Sequence, residues 1–160
     1  DSRLSRGLGD VYKRQAVSTD RPDGFHTLDL LLAEGRKLNL VATDDAHFTE
    51  PDFFGGWVMV KAQQNKPDSI LESLKEGSFY SSQGPEFVDI EMNSETAEVQ
   101  STPVTTVIVQ GQGSAYVAQH GEAIVSAELS LERLKNSPWL RVTVIDQYGK
   151  RAWSNPIWRD

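Results

Sequence analysis

The stretch Leu38-Asn39-Leu40-Val41-Ala42-Thr43-Asp44-Asp45-Ala46-His47 sets the expectation for the first half of the chain. It begins as a compact apolar run that includes a β-branched residue, and it turns abruptly polar after Ala42. This order is typical of a buried strand that carries polar groups at its carboxy-terminal end. We therefore predict a strand over residues 38–42, with the polar side chains of residues 43–47 at its end.

The segments on both sides of this strand predict an α/β arrangement. Apolar residues from 28 to 33 form a helix-like face that ends at Gly35, and the apolar run 57–60 predicts another strand. A second helix is predicted between Pro67 and Gly77, because proline favours the first turn of a helix and glycine favours the position after its end. The order helix, strand, strand, helix favours the carboxy-terminal end of an α/β barrel, where active groups lie at strand ends.

Beyond Pro85 the sequence changes to short segments of alternating or β-branched residues separated by Gly, Asn, Ser and Pro. Six strands are predicted, at 87–92, 96–100, 104–110, 123–131, 140–145 and 150–153. Strands at this spacing indicate a small antiparallel β-sandwich. The predicted fold class is therefore α/β plus all-β, with barrel elements over residues 16–85 and a sandwich over 86–160.

Residues 1–15 are interpreted as a non-native tail. The segment Ser5 to Gln15, SRGLGDVYKRQ, resembles the translation of a transposon-end adapter used in sequencing libraries. A tail of this kind predicts that the reading frame begins within a gene, so that the chain is the carboxy-terminal fragment of a longer protein. The alternative interpretation is a basic arm for nucleic acid or membrane, but its four positive charges are scattered.

Composition excludes several classes of protein. The 160 residues are 38% hydrophobic and 24% charged with no Cys, which is typical of a globular chain without disulfides or thiolate metal sites. The net charge of −7 argues against nucleic-acid binding, which depends on phosphate neutralisation. No apolar run reaches the roughly 18–20 residues that span a bilayer. A cytoplasmic location is the default expectation, although an upstream segment could hold an export signal.

Asp45 and His47 form the one motif that carries plausible chemistry. Residues two apart in a strand point to the same side with Cα atoms roughly 6.5 Å apart, so one cation can contact both side chains. A carboxylate with a neutral imidazole suits Zn, Mn or Fe. Asp44 points the opposite way in an ideal strand, which favours a supporting or capping role over metal ligation. The alternative is an exposed loop carboxylate beside a partly packed histidine.

Several strings resemble the polymerase and histidinol phosphatase (PHP) superfamily of metal-dependent hydrolases. They are Leu31-Leu32-Ala33-Glu34-Gly35-Arg36, Val41 to His47, Gly56 to Ala62, Phe79 to Pro85, and Ala152-Trp153-Ser154-Asn155-Pro156-Ile157, with Arg141, Val142, Asp146 and Gly149 between the last two. The resemblance implies a distorted barrel in which two or three metal ions activate water to cleave a small-molecule phosphoester or a related ester or carbamate. It also implies that Asp45 and His47 are metal ligands.

The other ligands of that family, including a His-x-His segment on an earlier strand, have no counterpart in this sequence. We therefore expect the chain to be inactive as it stands, since metal affinity needs several ligands held together. His26 and His120 match no ligand position and are predicted to be a helix-start or loop residue and a solvated turn residue, respectively. Ser81 and Ser82 are predicted to serve a strand-to-turn role and no catalysis.

Two non-catalytic interpretations remain for the carboxy-terminal part. In the first, Trp153 and Trp158, near Lys150, Arg151 and Arg159, form an exposed coplanar pair that stacks on sugars or bases. In the second, the module is structural, Trp153 fills its core and Trp158 packs over its edge. The glycine-rich loop Gly111-Gln112-Gly113 is predicted to join two strands and not to bind phosphate, because no helix follows it.

Overall fold

The structure is a computed structural model that describes residues 8–13, 24–44, 46 and 53–159. The chain divides into two compact units, Asp1–Gln83 and Gly84–Asp160, which are described separately below. Within the described ranges, strands account for most of the residues and there are two α-helices.

The amino-terminal unit combines one parallel and one antiparallel pair of strands. Its elements are β1 (Leu8–Lys13), α1 (Phe25–Ala33), β2 (Asn39–Thr43), β3 (Trp57–Val60), α2 (Pro67–Glu76) and β4 (Phe79–Ser82). β1 lies parallel to β2, and β3 pairs antiparallel with β4. The buried apolar side chains described in this unit are Leu28, Leu32, Leu40, Ala42 and Phe79.

Helix α2 shows how local sequence signals set the boundaries of an element. Pro67 opens the helix, and Gly77 follows its end with φ +77°, a left-handed conformation that glycine adopts without steric cost. The amide of Gly77 donates to the carbonyl of Leu74, and the amide of Ser78 donates to that of Ser73. The predicted helix between Pro67 and Gly77 is confirmed.

The prediction of a PHP-type (β/α) barrel is wrong. The helices and strands predicted over residues 24–85 are present, but β3 and β4 run antiparallel although α2 lies between them. A barrel of this type needs parallel strands with helical crossovers, and β1 with β2 is the parallel pair among the described strands. Periodicity identifies the type of each element, whereas the direction in which the next strand joins a sheet depends on packing between distant segments.

The carboxy-terminal unit is an antiparallel sheet centred on one long strand. Its strands are β5 (Phe87–Met92), β6 (Thr96–Gln110), β7 (Tyr116–Ser130), β8 (Trp139–Ile145), β9 (Arg151–Ser154) and β10 (Ile157–Trp158), with a 3-10 turn at Glu132–Leu134. β6 pairs with β7 along its length, with β5 through its first half and with β8 through its second half. β8 also pairs with β9 and β10.

These pairings correct the predicted two-sheet arrangement. The segments 96–100 and 104–110, predicted as separate strands, are the two halves of β6, and the pairing with β7 shifts register between Gln100 and Thr106. Register shifts of this kind bend a strand without ending it. One continuous strand therefore joins β5 and β8 into a single connected sheet.

The core of the carboxy-terminal unit is built around β8. Every residue of β8 except Ile145 is buried, so both faces of the strand are covered. The other buried apolar side chains described in this unit are Ala97, Val99, Val104, Val107, Val109, Ala127, Leu129, Leu131, Leu134, Ala152 and Trp153.

Candidate functional site

The end of β2 carries the first of the residues singled out in the sequence. Leu40 and Ala42 of β2 are buried, and Asp44 follows the last strand residue. The Asp44 carboxylate accepts a hydrogen bond from the backbone N–H of Phe54. Asp44 thus ties the end of β2 to the loop that returns toward β3.

Phe54 occupies an unusual position in that loop. Its φ is +59°, in the left-handed region that costs a non-glycine residue free energy, and its side chain is 81% exposed. The ring packs edge-on against Phe53, with ring centroids 5.6 Å apart. The hydrogen bond to Asp44 helps to hold Phe54 in this conformation.

Asp45 and His47, the predicted metal ligands, lie outside the described residues. Within the ranges that the structure does describe, no group of three or more His, Asp or Glu side chains is arranged to hold a metal ion. Asp44 is the described carboxylate at this strand end, and a backbone amide binds it. The described residues therefore do not by themselves form a metal centre.

The two other histidines lie at different places in the fold. His26 is exposed in the first turn of α1, which agrees with the predicted helix-start position. His120 was predicted in a turn, but it lies on β7, where its Nδ1 is 3.1 Å from the Thr106 hydroxyl. The two residues are opposite each other in the β6–β7 register.

Ser81 has a structural role that the sequence did not reveal. Its hydroxyl is fully buried, accepts a hydrogen bond from the amide of Ala42 at 2.9 Å and donates to the carbonyl of Leu40 at 3.0 Å. The side chain therefore links β4 to the main chain of β2. This engagement argues against Ser81 as a nucleophile.

Asp146 and Ser154 support the sheet of the carboxy-terminal unit. Asp146 follows β8, and its Oδ1 accepts hydrogen bonds from the amides of Tyr148 and Lys150, which closes the turn into β9. The hydroxyl of Ser154 accepts from the amide of Val142 at 2.9 Å. These side chains satisfy the main chain of β8 and the turn that follows it.

The tryptophans separate into two environments. Trp153 is 3% exposed, so the predicted core position is confirmed and the predicted exposed pair with Trp158 is wrong. Trp158, on β10, is half-buried and lines a cleft of about 700 Å³ within the carboxy-terminal unit. Trp158 and Arg159 are among the residues that the sequence suggested for ligand binding, but the cleft itself could not be predicted because segments far apart in the chain form it.

Comparison with known proteins gives no match. No protein family, curated protein or solved structure is similar to this chain. In the part of the chain that the structure describes, none of the helices has the length and apolar character required to cross a membrane.

Proposed function

We propose that this chain contributes to a metal-dependent hydrolase of phosphoester bonds, or of related ester or carbamate bonds. In this proposal Asp45 and His47 supply a carboxylate and an imidazole to divalent ions, and the remaining ligands come from residues outside this chain. Divalent ions at such a site lower the pKa of bound water and neutralise charge on the leaving group. The chain alone is then expected to bind metal weakly and to be inactive.

The observation that carries the proposal is the position of Asp44. Asp44 follows a buried strand, and its carboxylate binds the amide of Phe54 on the returning loop. This hydrogen bond joins the residue before Asp45 to a residue that follows His47 in the sequence. A strand end braced in this way is a suitable place for ligands, because holding ligands in position reduces the entropy lost on binding.

The exposed aromatic residues of the same loop also fit a substrate site. Phe53 and Phe54 are 44% and 81% exposed, and they directly follow the segment with the candidate ligands. A left-handed φ at a bulky residue is a form of backbone strain that clusters at functional sites. In the proposal these rings contact the apolar part of an ester.

Paramagnetic Mn²⁺ tests the proposed ligands directly. Titration into the isotopically labelled chain is expected to broaden the amide signals of residues 43–46. His47→Ala and Asp45→Ala should abolish this local broadening, whereas Asp89→Asn, at an exposed carboxylate of β5, should leave it unchanged. Broadening that persists in both ligand variants would overturn the assignment of these residues.

Two further measurements test the hydrolase as a whole. The natural coding sequence upstream of residue 16 should encode a His-x-His segment and further His, Asp or Glu ligands, and its lack of them would defeat the proposal. With Mn²⁺ or Zn²⁺, the present chain should not hydrolyse p-nitrophenyl phosphate faster than the metal alone. Turnover abolished by Asp45→Ala would contradict the expected inactivity of the chain.

A further inference from the structure

The cleft beside Trp158 lies between three segments of the carboxy-terminal unit. They are the turn between β5 and β6 at residues 92–94, the segment 135–138 before β8, and β10 with Arg159. Its volume of about 700 Å³ falls within the roughly 300–1,000 Å³ typical of small-molecule sites. It therefore has the size of a ligand site.

The walls of the cleft are held together by Arg159. Its Nη1 donates to the carbonyl of Leu134 and its Nη2 to the carbonyl of Ser94, each at 3.0 Å. Its backbone amide donates to the carbonyl of Pro138 at 2.9 Å. One residue of the third segment thus fixes the other two, and a site formed before binding loses less entropy when the ligand enters.

Additional hydrogen bonds stiffen the same walls. The side-chain oxygen of Asn93 accepts from the amides of Glu95 and Thr96, both at 2.8 Å. The hydroxyl of Ser137 accepts from the amide of Gln112 at 2.8 Å and donates to the carbonyl of Trp139 at 2.6 Å. The turn at Asn93 and the segment before β8 are therefore each fixed by a polar side chain.

The charge of the lining differs from that of the chain. The chain has a net charge of −7, yet the described residues that line the cleft include Lys135 and Arg159 and no Asp or Glu. The hydrogen bonds that Arg159 makes to carbonyls do not neutralise its charge. Positive lining in an acidic chain favours an anionic ligand.

The uncharged residues of the lining indicate which chemical groups the ligand needs in addition to a negative charge. Trp158 supplies an aromatic surface, Leu140 and Ile157 are apolar, and Ser94 and Asn136 supply hydroxyl and amide groups. A sugar ring has apolar C–H faces that pack on aromatic rings, and its hydroxyls bind amide and hydroxyl side chains. We propose that this cleft binds an acidic saccharide, with Trp158 as the surface for a sugar ring and Lys135 as a partner for its carboxylate.

Glu132 controls how available Lys135 is to such a ligand. The ammonium of Lys135 forms a salt bridge with the Glu132 carboxylate, and both side chains are largely exposed. Glu132 is not part of the cleft lining. A bound carboxylate must therefore compete with Glu132 for Lys135. Removing the charge of Lys135 should weaken binding, and removing the charge of Glu132 should strengthen it.

Calorimetric titration of the whole chain with digalacturonate tests the proposal. In NMR spectra of the isotopically labelled chain, binding is expected to shift the amide signals of Ser94 and Asn136 and the indole N–H signal of Trp158. The neutral galactose disaccharide should bind more weakly at the same place. Trp158→Ala should weaken both sugars about tenfold, as expected for loss of an aromatic contact.

Variants at the charged pair separate the acidic group from the sugar ring. Lys135→Gln should weaken digalacturonate about threefold and leave the neutral disaccharide unchanged, while Glu132→Gln should strengthen digalacturonate. Lys150→Gln, in the turn between β8 and β9, is the matched control and should change neither affinity. A near-ultraviolet circular dichroism spectrum like that of the unaltered chain shows that each variant is folded, and Trp158→Leu, which also removes the aromatic ring, replaces Trp158→Ala if it is not.

Three outcomes would overturn the proposal. They are no binding of digalacturonate at millimolar concentration, unchanged affinity in the folded Trp158 variant, and inorganic phosphate producing the same signal shifts with equal affinity. The last result would identify a bare anion site. Because the cleft shares no residue with the segment 44–54, these results are independent of the proposed hydrolase.

Discussion

The two units of the molecule are stabilised in different ways. Fifteen of the buried apolar side chains that the structure describes belong to the carboxy-terminal unit and five to the amino-terminal unit. The first unit relies visibly on polar links, such as Ser81 to β2 and Asp44 to Phe54, whereas the second has long regular ladders between β6 and its neighbours. The proposed chemistry thus lies in the unit for which the structure describes fewer buried apolar side chains.

The largest expected effect is at the core of the carboxy-terminal unit. Trp139 is fully buried in β8, and the guanidinium carbon of Arg141 lies 6.0 Å from its ring centroid. Trp139→Ala should lower the free energy of unfolding by about 3–5 kcal/mol, because it leaves a large cavity and removes the partner of a buried cation. Urea denaturation measures the change.

Tyr148→Ala is the matched control for Trp139→Ala. The Tyr148 side chain is 79% exposed in the turn after β8, so its loss should change stability by less than about 0.5 kcal/mol. If Trp139→Ala cost no more than Tyr148→Ala, the side chains around β8 would not form the tightly packed core of this unit.

Ser81→Ala tests whether polar links matter to the amino-terminal unit. The variant leaves the buried amide of Ala42 and carbonyl of Leu40 without the Ser81 hydroxyl, which should cost about 1–3 kcal/mol. Hydrogen exchange at the amide of Ala42 should accelerate, while amides of β8 keep their protection. Ser126→Ala, at an exposed position of β7, should have no effect. Unchanged exchange at Ala42 would show that Ser81 contributes nothing to this unit.

The sequence predicted local features well and long-range features poorly. The strand at 57–60 and the helix that starts at Pro67 follow from periodicity and from Pro and Gly signals within a few residues. By contrast, Gly111 is needed because a Cβ there would lie 2.5 Å from the Ser137 hydroxyl, a contact between residues far apart in sequence. The predicted barrel is wrong for the same reason, because the direction in which a strand joins a sheet also depends on contacts between residues far apart in sequence.

The same limit applied to the sites. Asp44 was singled out because it is next to Asp45 in the sequence. The hydrogen bond between Asp44 and Phe54 could not be predicted, because it depends on the path by which the loop returns to β3. Of the cleft at Trp158, the sequence suggested Trp158 and Arg159 but not the other walls, since Ser94, Leu134 and Arg159 meet only after folding.

A pair of glycine variants compares the two units at matched backbone geometry. Gly77 has φ +77° and Gly113 has φ +71°, but a Cβ on Gly77 would lie 2.8 Å from Asn39 Nδ2, whereas a Cβ on Gly113 meets nothing within 4 Å. Gly113→Ala should cost about 1 kcal/mol from the left-handed conformation alone, and Gly77→Ala should cost more. Urea midpoints measure both. Equal losses would mean that the Asn39 side chain moves away freely.

The smallest expected effect is the pH response of the Glu132–Lys135 pair. The hydrogen bond that Lys135 donates to the Glu132 carboxylate, and then the negative charge of that carboxylate, raise the pKa of Lys135 above the ordinary lysine value. A pKa raised in the folded state gives stability that is present below the unfolded pKa and is lost as the pH rises through the folded pKa. The loss therefore falls in the alkaline range, and it should be slight because both side chains are exposed.

Glu132→Gln should largely remove this alkaline response, because it takes away the negative charge that raises the Lys135 pKa and leaves only a neutral acceptor. Nitrogen-detected NMR titration of Lys135 reports the pKa, and unfolding at several alkaline pH values reports the stability of both proteins. We expect the packed sheet, and not surface charge, to stabilise the carboxy-terminal unit. The free energy of unfolding of Glu132→Gln at neutral pH should therefore be only slightly lower than that of the unaltered chain. A large deficit at neutral pH would mean that an exposed ion pair carries stability here assigned to the core around β8.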